Sequence, residues 1–210
     1  MMKHLKTLGL LAVAIAALTA FVGVSSASAA LFHSSGGAGV ELTGEQATSH
    51  KFTVTGSSIT CTTAKFTGKT AAATAETQEM HPEYSGCTAF GFVGATVDTA
   101  GCQYKFNANS ANVELRGCTS GGITVTASSA FGKCVMFVKN QPGINGQSFS
   151  NGTYGTPARK DILVTSEANN IHIEIKTSTG ICPVAVGTHT TGVYTGTTTV
   201  KSASGDIWWE

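Results

Sequence analysis

The sequence predicts an all-β protein: an antiparallel β-sandwich, or a partly closed barrel, of roughly eleven short strands stapled by disulfides. Three observations carry this. Thr, Gly, Ala, Ser and Val dominate the chain while Leu is scarce beyond the first thirty residues, a composition that favours strands and tight turns. Short segments alternate apolar and polar residues with a period of two, as half-buried strands do. Six cysteines, Cys61, Cys87, Cys102, Cys118, Cys134 and Cys182, are spread over most of the length.

At the start, MMKHLK places Lys3 and Lys6 before an apolar run from Leu8 to Val24, which gives way to the small residues SSASAA, Ser25 to Ala30. This reads as a secretory signal peptide over residues 1–29, with Ala27, Ser28 and Ala29 forming an A-x-A cleavage site. The competing reading is an uncleaved anchor, since the apolar run is nearly long enough to span a bilayer. No cysteine stands at the cleavage site, no twin arginine precedes the run, and no later apolar segment stops transfer. The expectation is a soluble chain exported to the cell envelope or medium, with no stable membrane insertion after cleavage. Residues 30–40, with SSGGAG at Ser34 to Gly39, read as a flexible leader, and 41–210 as one all-β domain.

Along that domain, KFTVT at Lys51 alternates, and TGSS at Thr55 to Ser58 then marks a turn. Between Ile59 and Phe66 the apolar positions change parity, from Ile59 and Cys61 to Ala64 and Phe66, which predicts a β-bulge. AAATAETQEM, Ala71 to Met80, alternates and is read as strand rather than helix. HPEYSGC, His81 to Cys87, carries Pro82 and Gly86 and is read as a turn leading into a cysteine. QYKF at Gln103 and VELRG at Val113 flank the turn NANSAN, Asn107 to Asn112, as a hairpin. GITVT at Gly122 alternates, and CVMFV, Cys134 to Val138, is apolar throughout and so predicted to be a central strand covered on both faces. NQPGINGQ (Asn140 to Gln147) and EANN (Glu167 to Asn170) read as turns. IHIEIK at Ile171 sets three isoleucines on one face, and TGTTTVK at Thr195 closes the series.

An even cysteine count in an exported chain reads as disulfides, and the absence of C-x-x-C argues against a zinc knuckle or redox pair. Six cysteines allow fifteen pairings. The hairpin around NANSAN points to Cys102–Cys118, although directly opposed cysteines would set Tyr104 and Phe106 on the face of Glu114 and Arg116; Gly117 offers a way for Cys118 to turn back. Cys61–Cys87 and Cys134–Cys182 would complete that set, one of the fifteen.

Without Lys3 and Lys6 the chain holds 11 basic and 12 acidic residues, and its near-neutral charge gives no reason to expect nucleic acid as partner. No cofactor is implied. His81 and Glu83 form the one candidate acid/base pair, and His172 or His189 could join His81 on a metal, but the spacing of a specific metal motif is lacking. His172 and Glu174 share a strand face that a merely solvated sheet would also show. No G-x-S-x-G elbow occurs. Asn151, Gly152 and Thr153 match a glycosylation sequon. Tyr194, Trp208 and Trp209 are candidates for an aromatic platform that binds glycan.

TCTTAKFTG (Thr60 to Gly68), HPEYSGCTAFGFVGA (His81 to Ala95) and YTGTTTVK (Tyr194 to Lys201) resemble a group of uncharacterised exported proteins of actinobacteria. The resemblance covers most of the chain beyond the signal peptide and implies a secreted, cysteine-bearing, β-rich protein; it implies no activity and no site. The functional expectation is a non-catalytic structural or binding module, with a small hydrolase or metal-dependent enzyme using His81 and Glu83 as the alternative, and a glycan-binding module as a further one.

Overall fold

The computed structural model describes residues 29–152 and 160–210. The expected signal peptide therefore lies outside the described residues apart from its last, as does Thr153 of the sequon. The described chain forms sixteen strands: β1 Phe32–Ser34, β2 Glu41–Gln46, β3 His50–Val54, β4 Ser57–Lys69, β5 Thr74–Ala75, β6 Thr77–Ala89, β7 Val93–Asp98, β8 Gln103–Asn107, β9 Asn112–Arg116, β10 Gly122–Ser129, β11 Gly132–Lys139, β12 Gln141–Ile144, β13 Gln147–Asn151, β14 Asp161–Ser178, β15 Gly187–Ser202 and β16 Ile207–Trp209. The all-β, antiparallel expectation holds, but the strands outnumber the eleven expected, because β1, β5, β12, β13 and β16 are too short for alternation to reveal them. Among the described residues no helix is long and apolar enough to cross a membrane.

At one end the pairing closes on itself. β3, β4, β6, β7, β10, β11, β14 and β15 are hydrogen-bonded in turn, each antiparallel to the next, and β15 returns to β3. Toward the other end the four longest strands change partners. There β2 lies between β4 and β15, β8 replaces β7 beside β6, and β13 replaces β11 beside β14. The hairpin β8–β9 and then β12 extend that edge. A separate three-stranded sheet, β16-β1-β5, covers this end. The result is not one clean barrel but a closed ring continuous with an open sheet.

Two hydrophobic cores follow from this split. The ring encloses an aliphatic core that includes Val54, Ile59, Ala89, Val125, Met136, Ile173 and Ile175. Beyond it a second core gathers Phe32, Leu42, Phe66, Met80, Phe149, Ile162, Val200 and Ile207. Phe32 and the buried Ser34 belong to β1, so the stretch expected as a flexible leader is in part a paired strand. Its apolar residue has a core to enter, and pairing satisfies its backbone.

The parity change expected in β4 is real, but it is not a bulge in the β4–β6 pairing. Ile59 and Cys61 are buried, then Ala64 and Phe66; on the facing strand Met80 and Pro82 are buried, then Cys87 and Ala89. Cys61 faces Cys87 and Thr63 faces Ser85, so the register is unbroken. Both strands change face together, at Thr62 and Gly86. Gly86 has a φ of 60°, and a Cβ there would stand 2.1 Å from the Thr62 hydroxyl oxygen, so glycine is required. HPEYSGC is thus part of a continuous strand rather than a turn, Pro82 being accommodated within it. EANN is likewise not a turn but an irregularity inside β14, where the register to β15 shifts between Ala168 and Ile171 and the buried face moves to Ile171, Ile173 and Ile175.

NQPGINGQ, expected as a turn, instead holds β12 and the start of β13, with only Asn145 and Gly146 between them, while other local readings hold. Thr55 and Gly56, both with positive φ, make the tight turn between β3 and β4. Asn107 Oδ1 accepts the amides of Asn109 and Ser110 in the β8–β9 turn. CVMFV lies in β11 between β10 and β14, with Phe137 on its outer face covered by Lys176 at 3.7 Å. The disulfides are Cys61–Cys87, Cys102–Cys118 and Cys134–Cys182. The first joins directly facing residues of β4 and β6. The second sits outside its hairpin, where Gln103 faces Arg116 and Tyr104 faces Leu115, one step from the register that directly opposed cysteines would impose. Gly117, at φ 69°, turns Cys118 back to make the bond.

Candidate functional site

Where the two cores meet, the packing leaves a cavity of ≈ 140 Å³. Its lining runs from Ile123, Val125 and Val138 on the ring side to Phe32, Phe149 and Ile207 under the covering sheet, so the space is long and narrow. The far end of the ring is shut by Val54, Ala89, Ala127, Met136, Ile173 and Ile175, which are buried and do not line it. Toward the covering sheet the lining reaches Ala72, which is exposed, in the segment linking β4 to β5.

Most of the lining is aliphatic or aromatic. Its polar groups include His33, Thr70, Gln78 and the buried pair Gln147–Ser166, and one continuous chain of side chains drawn from four strands. His50 opens β3 just after Ala47–Ser49, where the chain leaves β2; the amides of Ala47 and Thr48 both turn to the Thr197 carbonyl, and that break lets the imidazole point inward at 3% exposure. Nε2 of His50 stands 3.2 Å from the Thr198 hydroxyl and 3.3 Å from the Thr197 carbonyl. Nδ1 meets the Tyr194 hydroxyl, which is 2.7 Å from that of Tyr84, which in turn is 3.2 Å from that of Tyr104. Phe66 packs against His50, Tyr84 and Tyr104, holding the rings in place.

The three tyrosines retain some accessible area, yet lie deep in the protein, because the surface they show faces the cavity. Burial raises the pKa of the Tyr84 and Tyr194 hydroxyls well above the usual phenol value and pushes Tyr104 up to about 12. Burial also lowers the His50 pKa, against a smaller raising effect of its bond to Thr197. At neutral pH the chain is four uncharged groups. Neutral, desolvated phenols are poor bases and poor nucleophiles, but they are good hydrogen-bonding partners for a neutral guest. A further polar group, the Ser34 hydroxyl, lines the cavity at 4% exposure without a hydrogen-bond partner among the described residues.

The residues singled out from sequence are mostly elsewhere. His81 and Glu83 are exposed on the outer face of β6, facing Thr67 and Lys65, and neither lines the cavity. His172 is exposed on β14, where its backbone exchanges two hydrogen bonds with the Gln141 side chain, and Glu174 pairs with Lys139 at 3.2 Å. His189 bonds the Ala185 carbonyl. Among the described residues no three His, Cys, Asp or Glu side chains converge as metal ligands would. The aromatic platform is not assembled: Tyr194 faces the cavity, Trp208 stacks on His33 with centroids 4.9 Å apart, and Trp209 packs on Phe149 while its indole N–H donates to the Ala108 carbonyl. Asn151 uses its side-chain amide on the Trp209 backbone in both directions, tying β13 to β16.

Sequence reasoning missed His50, Tyr84 and Tyr104. Tyr84 had a signal: it continues the buried parity of Met80 and Pro82, which a reading as turn concealed. No family model matches the chain, and neither the curated proteins nor the solved structures yield a match.

Proposed function

We propose that this protein is an exported, non-catalytic binding module that encloses a small, mainly apolar molecule within its β-structure. The observation that carries the reading is the cavity itself: a space lined mainly by aliphatic and aromatic side chains, with an uncharged chain of hydrogen-bonding groups along it. An apolar space of this size is known to admit a single-ring guest. The three disulfides fit an oxidising compartment, and with the sequence's signal-peptide pattern they support export.

The test is methyl NMR of the purified protein under benzene or xenon. Shifts confined to Ile59, Ile123, Val125, Ile162 and Ile171, which line the cavity, support the reading. No shifts at these methyls, or equal small shifts across all methyls, overturn it.

A further inference from the structure

The chain of four neutral groups also restricts what the guest can be. Among the described residues the lining contains no Lys, Arg, Asp or Glu; its histidines are His50, within the chain, and His33 on β1, which stands 3.9 Å from Glu210, so the tyrosine chain itself offers no fixed charge to neutralise a charged guest. Tyr104 ends the chain. Its hydroxyl has one side-chain partner, Tyr84, and borders the cavity, leaving hydrogen-bonding capacity for a guest.

The direction of the chain is set by one proton on His50. With the proton on Nε2, donated toward the Thr197 carbonyl, Nδ1 accepts from Tyr194, Tyr194 accepts from Tyr84, and Tyr84 accepts from Tyr104; the Tyr104 oxygen then offers the guest only a lone pair. With the proton on Nδ1, the Thr198 hydroxyl donates to Nε2 and every phenol turns round, so Tyr104 offers the guest its O–H. Either arrangement keeps the bonds from His50 Nδ1 through to Tyr104, exchanging at Nε2 the Thr197 carbonyl for the Thr198 hydroxyl, and neither creates a charge.

We propose that the cavity selects an uncharged, elongated apolar molecule with one polar group, a hydroxyl or a carbonyl, seated on the Tyr104 hydroxyl, and that it discriminates against carboxylates and ammonium ions of the same length. This rests on the cavity being a binding site. The chain accommodates alcohols and ketones alike because reversing it needs a change of His50 tautomer and of its Nε2 partner, from the Thr197 carbonyl to the Thr198 hydroxyl, whereas an ion brought to the same place loses its hydration without a counter-charge. Burial, by keeping the His50 pKa low and the tyrosine pKa values high, keeps the socket neutral across the physiological range.

The experiment is calorimetric titration of the purified protein near neutral pH with pentane, pentan-1-ol, pentan-2-one, pentanoate and pentylammonium, whose chains match the ≈ 140 Å³ space, repeated with Tyr104→Phe. The expected result is binding of pentane, tighter binding of the alcohol and ketone, and affinities for the two ions at least about tenfold below the alcohol's. Tyr104→Phe should weaken alcohol and ketone about fivefold relative to pentane. If pentane and all the others fail to bind, the cavity reading itself fails. If pentane binds but pentanoate or pentylammonium matches pentan-1-ol, or Tyr104→Phe lowers pentane and pentan-1-ol alike, the cavity reading stands and the proposed selectivity is wrong.

Discussion

The ring end and the covered end of this molecule are built from the same long strands and stabilised differently. All three disulfides lie in or against the ring core, whose buried members are otherwise aliphatic and whose far end does not reach the cavity. The second core contains no cysteine and is built on Phe32, Phe66 and Phe149; Phe149 meets Phe32 and Phe106 edge to face and Trp209 at a tilt. Covalent staples and interlocking β-branched side chains fix one shape. Aromatic rings that meet at their edges around a void can shift to admit a guest. The lesson is that rigidity and accommodation occupy opposite ends of one sheet, with the tyrosine chain between them.

The largest expected effect breaks the rigid end. Cys134 and Cys182 close a loop of 48 residues, and replacing both with alanine should cost about 4 kcal/mol by loop-closure entropy, read from urea unfolding. Equal loss on replacing them in a chain already reduced would refute that account. Phe66→Ala should cost about 3 kcal/mol, yet enlarge the cavity, so that guests too bulky for the wild type bind; stability loss with no change in guest size would mean the aromatic end does not yield. At the junction, Gly86→Ala should cost about 2 kcal/mol through its positive φ and the close approach of Thr62, and adding Thr62→Ala should recover only the part due to the contact.

The smallest effect is on pH dependence. The folded protein holds His50 at a lowered pKa, so the unfolded chain takes up its proton first. The stability this group contributes is present above about pH 6.5 and is lost as pH falls through the lowered value. Thermal unfolding of His50→Asn should therefore show a shallower decline on acidification than the wild type. The tyrosines act at the other extreme: their raised values mean stability is lost as pH rises above about 10. Phenolate absorbance lost in each Tyr→Phe variant should mark ionisation that accompanies unfolding.

Much of the fold was legible because its signals are local. Alternation identified the strand at Ile171, unbroken apolar character identified β11, and Gly117 accounted in advance for how Cys118 could reach Cys102. The short covering strands were not legible: β1 and β5 are defined by partners far along the chain rather than by any pattern of their own. The site was almost wholly hidden. Its members come from β3, β6, β8 and β15, and only closure of the sheet brings their hydroxyls to hydrogen-bonding distance. Glu83 and His81 attracted notice as neighbours in sequence, and period two sends them to the outer face while Tyr84 turns in.

The matched change of face at Thr62 and Gly86 has a consequence for how this protein can vary in length. Removing either residue alone would slide one strand past the other by a step, setting half of its side chains on the wrong side and breaking Cys61 from Cys87 or Lys65 from Glu83. Removing both would leave each strand alternating without interruption, from Ile59 to Phe66 and from Met80 to Ala89, with every other partner between β4 and β6 kept. Insertions and deletions here are tolerable only in pairs, one answering the other across the sheet.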